Sequence, residues 1–378
     1  MIRIGIECES IEQDSWGIAR IINKLLEDIA RRPELQKEFK FFLYFKSKIP
    51  NYPFLNNPIF VKRLVRVPLV PKTWLPISFS LYYYILLPIR LWFERLDVMY
   101  FTNYMLPPLV FTKSIVFLTY DAYYESRSKN IPLRYRLAYR IFSTWAAKRA
   151  TQIMSISEFS KQELQNVYGI NSDRITVNYL GVDVPNRSRA ASHHARDYIL
   201  FVGQAFPRRH LKESLLAFEK IAPHFPNLDF IVVGPDKYSP LIIQTLIKEI
   251  NARLGSERII HKERVRDDEL AQYYSNAKAL MYISTKEAFG LPPLEALAYG
   301  TYPIIADNPL SREIFGESAF MVKEPESVFQ IAEVTVAALT DSARQYRITA
   351  NKDEVLNKFT WQAHTDRFLK LVQSMAHG

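Results

Sequence analysis

Short apolar runs rich in β-branched residues alternate with longer segments of helical periodicity along almost the whole chain. A regular succession of strand, helix and strand is typical of βαβ units, whose strands pair in parallel. The runs that fit buried strands are residues 2–7, 39–45, 97–102, 114–121, 152–157, 175–181, 198–204, 229–235, 258–265, 279–285 and 302–307. This pattern predicts an α/β protein built on parallel sheets.

The strand runs fall into two series, separated by residues 185–197, which are polar and lack apolar periodicity. The chain has 378 residues, whereas single cores usually stop growing near ~250 residues. We therefore predict a first domain over residues 1–190 and a second over residues 191–357, with an amphipathic helix in residues 358–378. From the residues alone, a helix that caps the second domain stays open as an interpretation of that segment.

The positive charge is confined to the first half of the chain. The net charge is +10, and residues 1–190 hold 27 Lys and Arg against 16 Asp and Glu. No acid occurs between Glu38 and Glu94, or over residues 126–157. Such fields attract anionic partners. No nucleic-acid motif accompanies them, so we do not expect a nucleic-acid partner.

Residues 73–96 are the most apolar stretch, and Pro76 and Pro88 interrupt them. Three interpretations stay open: a core or partly exposed helix, a membrane contact over residues 62–95, and a membrane span. The chain has one cysteine, Cys8, and its first residues turn acidic where a signal peptide would be basic. We expect a cytoplasmic protein, peripheral on the inner face of the membrane if the contact exists.

Several motifs that would define a reaction are missing. The sequence contains no GxGxxG, GxxxxGK[ST], GxSxG, HExxH or DxD. A dinucleotide fingerprint, a P-loop, a serine-hydrolase elbow, a zincin and a metal-chelating aspartate pair are therefore unsupported.

The segment 198–221 carries the first candidate site. A buried strand ends at Gly203, and Arg208, Arg209 and Lys212 follow at the expected start of a helix. Backbone N–H groups at a helix start, together with cations, form an anion site suited to a diphosphate. A solvated basic first turn is the alternative, and the segment alone leaves both open.

The segment 286–300, KEAFGLPPLEALAYG, carries the second. Glu287 comes just after a predicted strand, and Glu295 falls in the expected first turn of a helix that runs to Gly300. Glu295 there could accept two ribose hydroxyls, and Glu287 could meet sugar hydroxyls. The alternative is structural: Glu295 complements the helix dipole and Glu287 caps the turn.

Together the two segments resemble a known family. VGQAFPRRHLKESLLAF, VVGP, RVRDDELAQYYSNAKALMYIST and KEAFGLPPLEALAYGTYPIIADN are similar, in order and spacing, to the nucleotide-sugar half of retaining glycosyltransferases of family 4, also called glycosyl transferases group 1. SISEFSKQELQNVYGINSDRITVNYLGVD and WGIARIINKL resemble its acceptor domain. The resemblance implies a GT-B fold: two Rossmann-like domains with parallel sheets facing across a cleft, and a C-terminal helix that crosses back to the first.

The resemblance also implies roles for single residues. Glu295 would bind the ribose and Glu287 the donor sugar, while Arg208 and Arg209 neutralise the diphosphate without a metal or cofactor. The backbone near Val265 would lie against the base. The remaining donor-binding positions are Gly17, Gly203, Gln204, Lys212, Phe289, Gly290 and Leu291.

Two departures from the family pattern concern Gln204 and Tyr120. Gln204 stands where the family commonly has Arg or Thr, so Lys212 could supply the missing cation. Tyr120-Asp121 stands where the family usually has His-Asp. We expect the catalytic set to be Glu287, Arg209, Asp121 and Tyr120, with the tyrosine changing sugar specificity or marking lost activity.

The expected activity is a front-face retaining transfer, in which the leaving diphosphate helps to deprotonate the acceptor. The donor would be a GDP, UDP or ADP sugar of mannose or glucose type, and the acceptor a lipid-linked glycan or a polysaccharide. The alternatives are a GT-B nucleotide-sugar epimerase and a catalytically inactive nucleotide- or glycan-binding homologue. A phosphorylase lacks support, because no cofactor-binding lysine pattern is evident.

Overall fold

The structure is a computed structural model that describes residues 1–12, 17–66, 81–127, 132–184 and 194–377. The chain forms two compact units. Unit 1 comprises Met1–Gly181 and Trp361–Gly378, and unit 2 comprises Val182–Thr360. The chain therefore passes between the units at Gly181 and at Thr360, where the sequence had suggested residues 190 and 357. Most of the predicted linker lies outside the described residues.

Unit 1 contains a seven-stranded sheet in the order β3-β2-β1-β4-β5-β6-β7. Its strands pair in parallel throughout. They are β1 (Ile2–Glu7), β2 (Phe39–Phe45), β3 (Phe60–Leu64), β4 (Val98–Phe101), β5 (Lys113–Phe117), β6 (Gln152–Ser155) and β7 (Ile175–Val177). The central strands are buried on both faces, as their continuous apolar runs require.

The helices of unit 1 connect these strands. They are α1 (Ile18–Ala30), α2 (Leu87–Glu94), α3 (Tyr120–Arg127), α4 (Leu133–Arg149) and α5 (Glu158–Tyr168). A π-helical turn, Tyr82–Leu86, leads directly into α2. The described part of the apolar segment 73–96 is thus a helix with one buried and one exposed face. Residues 73–80 lie outside the described residues.

Unit 2 contains a six-stranded parallel sheet in the order β10-β9-β8-β11-β12-β13. Its strands are β8 (Asp197–Val202), β9 (Leu228–Val233), β10 (Ile259–Lys262), β11 (Ala279–Tyr282), β12 (Tyr302–Ala306) and β13 (Phe320–Val322). Its helices are α6 (Leu211–Ile221), α7 (Ile243–Leu254), α8 (Asp267–Asn276), α9 (Leu291–Tyr299), α10 (Pro309–Phe315), α11 (Val328–Thr340) and α12 (Ser342–Lys358).

The strand order of unit 2 reverses between β8 and β11, which are neighbours in the sheet but far apart in the chain. Loops that leave neighbouring parallel strands at such a switch point diverge and open a crevice at the carboxyl ends of the strands, where ligands of doubly wound sheets bind. The loops that follow β8 and β11 are the two segments in which the sequence placed its candidate sites.

The last helix, α13 (Trp361–His377), belongs to unit 1 and packs on α1, β1 and β4. The ring of Phe368 lies 5.2 Å from that of Tyr100, and the Lys113 ammonium donates to the Met375 carbonyl at 2.8 Å. The helix therefore returns to the first unit, as the resemblance implied, and the alternative that it caps the second unit is wrong.

Among the described residues, no helix combines the length and the apolar character that crossing a bilayer requires.

Candidate active site

The loops after β8 and β11 are joined by hydrogen bonds between their backbones and side chains. The Thr285 N–H donates to the Arg208 carbonyl at 3.0 Å, and the Arg208 Nε donates to the Lys286 carbonyl at 3.1 Å. The basic segment that follows Gly203 is thereby fixed against the turn that carries Glu287. The two candidate segments, found separately in the sequence, form one site.

Glu287 accepts three hydrogen bonds on one oxygen. Its Oε1 receives the Arg209 Nε–H at 2.7 Å, the Tyr282 hydroxyl at 2.8 Å and the Ser284 hydroxyl at 3.0 Å. Only 18% of the Glu287 side chain and 14% of the Arg209 side chain are exposed. A carboxylate held this firmly keeps one orientation, which is the requirement for recognising a sugar hydroxyl.

The charge of Glu287 follows from these partners. Burial works to raise the pKa of the carboxyl, but the charge and the hydrogen bond of Arg209 outweigh it, with Arg208 assisting, and hold the pKa below its ordinary value. Burial and the neighbouring carboxylate raise the pKa of Tyr282 well above its ordinary value. At neutral pH the site therefore presents an ionised carboxylate beside a protonated phenol.

The Arg209 side chain contacts both loops and passes close to Gly203. Its Nη1 donates to the Gln204 carbonyl at 2.9 Å, and its guanidinium lies 5.1 Å from the centre of the Tyr282 ring. Gly203 has φ +132°, and a Cβ added there would lie 2.9 Å from Nη1. Gly203 is thus required both for its backbone conformation and for the close approach of the guanidinium.

The three predicted cations are not equivalent. Arg208 and Arg209 lie on a 3₁₀ turn, Pro207–Arg209, that precedes α6, and only Lys212 is in the first turn of the helix. The Arg208 guanidinium stacks over the Phe206 ring at 4.4 Å. Lys212 is exposed, and its backbone N–H donates to the Tyr238 hydroxyl at 3.3 Å. Cations in the first turn of a helix are disfavoured by its dipole. The two arginines avoid this cost because they precede the helix.

Glu295 is bound by a tyrosine that takes no part in the three hydrogen bonds of Glu287. It lies beyond the first turn of α9 and is 8% exposed, and its Oε2 accepts the Tyr274 hydroxyl at 2.9 Å. Tyr274 is itself buried and stacks on Tyr299 with 5.5 Å between ring centres. The predicted first-turn position was wrong, and with it the explanation that Glu295 complements the helix dipole.

Three further predicted donor-binding residues, Phe289, Gly290 and Leu291, lie at the start of α9. Gly290 has φ +91° and precedes the helix, Leu291 is its first residue, and prolines follow at positions 292 and 293. The two prolines have no N–H, whereas Leu291, the first residue of the helix, has one. The amide of Leu291 is therefore an available donor in this first turn. Phe289 is buried with its ring edge on Phe359, 5.6 Å between centres.

Val265 lies in the loop between β10 and α8, half-buried. A groove beside this loop is lined by Lys262, Arg266, Glu269 and Tyr273, and neither Glu287 nor Glu295 lines it. Salt bridges of 3.0 Å join Lys262 to Glu269 and Arg266 to Asp268 across its rim.

The other predicted residues belong to unit 1. Gly17 has φ +83° and precedes α1, and residues 13–16 before it lie outside the described residues. Tyr120 begins α3 and is 9% exposed. Its ring packs edge to face with that of Phe159, with 5.5 Å between the ring centres. Its backbone N–H donates to the Ser160 hydroxyl at 3.1 Å. Asp121 is the next residue of α3, and its side chain lies outside what the structure describes.

Sequence reasoning missed the residues that orient the two glutamates. Tyr282 and Ser284 hold Glu287, and Tyr274 holds Glu295. Tyr282 is the last residue of β11, and its hydroxyl at the end of an otherwise apolar strand was the available signal. Nothing in the local sequence distinguishes Tyr274 from Tyr273.

Sequence reasoning also missed a buried acid in unit 1. Glu7 ends β1 with no exposed surface, and its oxygens accept the Glu9 N–H and the Thr102 hydroxyl, both at 2.7 Å. Burial, with repulsion from Glu9, raises the pKa of Glu7 to about 7. A charged residue closing an otherwise apolar strand was the available signal.

Within the described ranges, no group of three or more His, Cys, Asp and Glu side chains is arranged to hold a metal ion. That the protein works without a metal stays a prediction.

The fold is that of the GT-B class: two Rossmann-like α/β units, each built on a parallel sheet. WaaG, a glycosyltransferase involved in lipopolysaccharide biosynthesis, superposes with a TM-score of 0.68 at 18% identity, over 98% of this chain and 99% of that one. Sucrose-phosphate synthase from Thermosynechococcus elongatus gives a TM-score of 0.74 at 16% identity, over 99% of both chains.

The family is defined by matches over both units. Residues 185–355 match the family described as Glycosyl transferases group 1, and residues 41–185 match Glycosyltransferase Family 4. The chain belongs to glycosyltransferase family 4.

Two O-antigen mannosyltransferases are similar to this chain over about half of its length. The O-antigen chain mannosyltransferase RfbU of Salmonella typhimurium is 27% identical over 213 residues, which are 56% of this chain and 58% of the relative. The O-antigen chain mannosyltransferase B of Escherichia coli is 26% identical over 226 residues, again 56% and 58%. The matched region thus spans a little over half the length of these relatives.

Proposed function

We propose that the protein is a retaining glycosyltransferase that moves a hexose from a nucleoside-diphosphate sugar to a lipid-linked glycan or a polysaccharide. The observation that carries the proposal is the triply hydrogen-bonded Glu287, bound to Arg209 at the switch point of the unit 2 sheet. A fixed carboxylate and two arginines at one crevice suit a ligand that carries hydroxyls at one end and a diphosphate at the other.

In this proposal each group has one task. Glu287 accepts hydrogen bonds from the donor sugar, and Glu295 accepts them from the ribose. Arg208 and Arg209 neutralise the diphosphate, and Lys212 supplies the cation that is missing at position 204. The backbone amides of Gly290 and Leu291 donate to the diphosphate. The base lies against the loop of Val265. Catalysis then consists of positioning and of electrostatic stabilisation of the leaving group, with no metal required.

We infer mannose as the transferred sugar, with glucose second. The support is the name of the relatives, since both O-antigen enzymes are mannosyltransferases. Solved structures of Alr3699/HepE from Anabaena, with a TM-score of 0.68 at 14% identity, contain UDP and glucose. At that identity they share the fold alone, so they do not decide the sugar.

A nucleotide-binding protein without turnover is the second candidate, and one observation favours it. Tyr120 stands where the family usually has histidine, and its ring is packed on Phe159. If the missing histidine were indispensable, the donor clamp of unit 2 would bind without transferring.

One experiment tests both candidates. The purified chain is melted with GDP, UDP and ADP, and is then incubated with GDP-mannose, UDP-glucose and ADP-glucose, with release of the nucleoside diphosphate as the measure of turnover. Ligand at about 100 times its dissociation constant adds about 2.7 kcal/mol of stability, so the proposal predicts a raised melting temperature. It also predicts turnover, with the anomeric configuration of the transferred sugar retained.

The outcomes separate cleanly. Stabilisation by a nucleoside diphosphate without any release from its sugar identifies the binder. No stabilisation and no turnover with any of the three contradicts both candidates. Inversion at the anomeric carbon would refute the retaining mechanism while leaving the transferase intact.

A further inference from the structure

Two neighbouring helical segments of unit 1 expose apolar side chains in regular rows. On the π turn and α2, one face carries Ile85, Ile89, Trp92 and Phe93. On α4, another carries Leu133, Leu137, Ile141 and Trp145. Each of these eight side chains is between 37% and 77% exposed. We call these eight residues the exposed apolar rows.

The spacing of the rows shows that they are faces rather than scattered residues. Positions 85, 89, 92 and 93 share one side of a helix, and positions 133, 137, 141 and 145 recur every fourth residue along another. The opposite faces are buried in the core, through Tyr82 and Leu87 on the first segment and Ala146 on the second. Single exposed apolar residues are ordinary, but contiguous rows mark contact surfaces.

The two rows lie side by side. The Tyr84 ring stacks on the Phe142 ring with 5.6 Å between their centres. These two aromatic residues directly precede Ile85 and directly follow Ile141 in the chain. The joined helices therefore present their exposed residues next to one another on the same unit.

The exposed charges on the two helices themselves are positive. α4 contains no acidic residue, and Arg134, Arg140, Lys148 and Arg149 are exposed along it. The one acid of α2, Glu94, is buried, and its oxygen lies 2.7 Å from Arg63 and 2.8 Å from Arg90. No acidic side chain of either helix thus offsets the exposed cations.

We propose that the exposed apolar rows dock on an anionic lipid bilayer, lying in its interface without spanning it. Aliphatic side chains enter the acyl boundary, tryptophans suit the headgroup level, and flanking Lys and Arg contact the lipid phosphates. The Arg149 guanidinium lies 5.2 Å from the Trp145 ring, which keeps a cation beside an aromatic at that level. This surface lies outside the proposed donor site and does not depend on it.

Two other occupants fit less well. A second copy of the chain, meeting the same surface by two-fold symmetry, would bring these uncompensated cations against each other, whereas interface cores are depleted of charge. Single-stranded nucleic acid is bound by basic grooves with aromatic platforms for the bases. Five of the eight exposed residues are Leu or Ile, which offer no such platform.

The test is flotation of the full chain with two kinds of vesicle, one of phosphatidylcholine and one of equal parts phosphatidylcholine and phosphatidylglycerol. We expect strong binding to the anionic vesicles and weak binding to the neutral ones. The variant with Trp92→Ser and Phe93→Ser should bind anionic vesicles about tenfold more weakly, because it removes two large apolar side chains from the contact. Arg134→Gln and Arg140→Gln should each weaken binding about fivefold.

Unit 2 offers matched controls. Phe329→Ser removes a side chain that is 74% exposed, against 77% for Phe93, and Lys220→Gln removes an exposed cation from α6. Neither should change vesicle binding. Because all these side chains are at the surface, the variants should melt as the wild type does. Vesicle binding is measured without a donor sugar, so its failure is distinct from failure of the proposed transferase.

Several results would overturn the proposal. They are absence of binding to both vesicles, wild-type binding by the Trp92 and Phe93 variant, and an equal loss in the Phe329 control. A dimer in sedimentation equilibrium that the same variant dissolves would assign the surface to a second copy. Displacement from vesicles by a short RNA at low salt would assign it to nucleic acid.

Discussion

Replacement of Arg209 by methionine tests the central contact of the proposed site. Methionine keeps much of the length of the side chain and removes the charge, so Glu287 loses its closest partner but keeps the Tyr282 and Ser284 hydroxyls. Since burial is the largest influence on this carboxyl, removing the arginine should let its pKa rise above the ordinary value. Part of the protein would then carry a neutral Glu287 near neutral pH.

The expected magnitudes follow from burial. Breaking a fully buried ion pair costs about 3–5 kcal/mol. Here 14% and 18% of the two side chains remain exposed, and two hydroxyls stay bound, so we expect the free energy of unfolding to fall by about 1–2 kcal/mol. Turnover should fall further, by about 100-fold to 1,000-fold, as it does when one fixed electrostatic donor is lost from an active site.

The assay combines urea unfolding with release of the nucleoside diphosphate from the donor. Arg209→Lys is the matched control, because it keeps the charge. A single ammonium cannot reproduce the fork that reaches both Glu287 and the Gln204 carbonyl, so we expect a loss of about tenfold. Wild-type turnover in Arg209→Met would refute the electrostatic role. A loss of activity explained entirely by unfolding would refute it equally.

Three further predictions concern other residues of the two units. Tyr274→Phe removes the hydroxyl that holds Glu295 but keeps the ring stack, so the KM for the donor should rise about tenfold with little change in kcat; an unchanged KM would separate Glu295 from the donor. Gly203→Ala should cost about 1–3 kcal/mol of stability through its positive φ, and should lower turnover beyond that by displacing Arg209; full activity in the folded variant would contradict this. Because the folded pKa of Glu7 is raised from 4.5 to about 7, its stabilising contribution is present below the unfolded pKa and is lost as the pH rises through the folded pKa. Glu7→Gln, whose amide can donate to the Thr102 oxygen, should therefore gain stability over the wild type between about pH 5 and pH 8, by up to about 3 kcal/mol in urea titrations; a difference that is constant with pH would show that Glu7 does not titrate in this window.

The fold was largely readable from the sequence because buried parallel strands carry continuous apolar runs. All the strand runs of the prediction correspond to strands of the structure. The prediction missed β3 and β13, and both are edge strands. β3, FVKRL, is half-exposed and carries two cations, and β13 has three residues. Edge strands have one pairing partner and are often short or charged, so periodicity gives little sign of them.

The sequence predicted only those site residues whose role shows in a short, continuous segment. The glycine at a strand end, the two arginines that follow it and Glu287 lie together in one site, whereas Glu295 is bound by Tyr274. The hydroxyls that orient the glutamates come from neighbouring strands and helices, so their roles depend on tertiary contacts. The position of Glu295 beyond the first turn was missed for a smaller reason: the helix begins at Leu291, before the prolines rather than at them.

The partners of Glu287 restrict what it can contribute to a transfer reaction. A general base works best with a pKa near the operating pH, whereas Arg209 holds this pKa below its ordinary value, and one oxygen already accepts three hydrogen bonds. Glu287 is therefore a poor proton acceptor and a good fixed negative charge. Such a charge beside the donor sugar favours the positive charge that develops on the ring as the bond to the diphosphate breaks. The proton of the incoming hydroxyl must then pass to another group. In the proposed reaction that group is the leaving diphosphate itself, whose negative charge the arginines beside Glu287 stabilise.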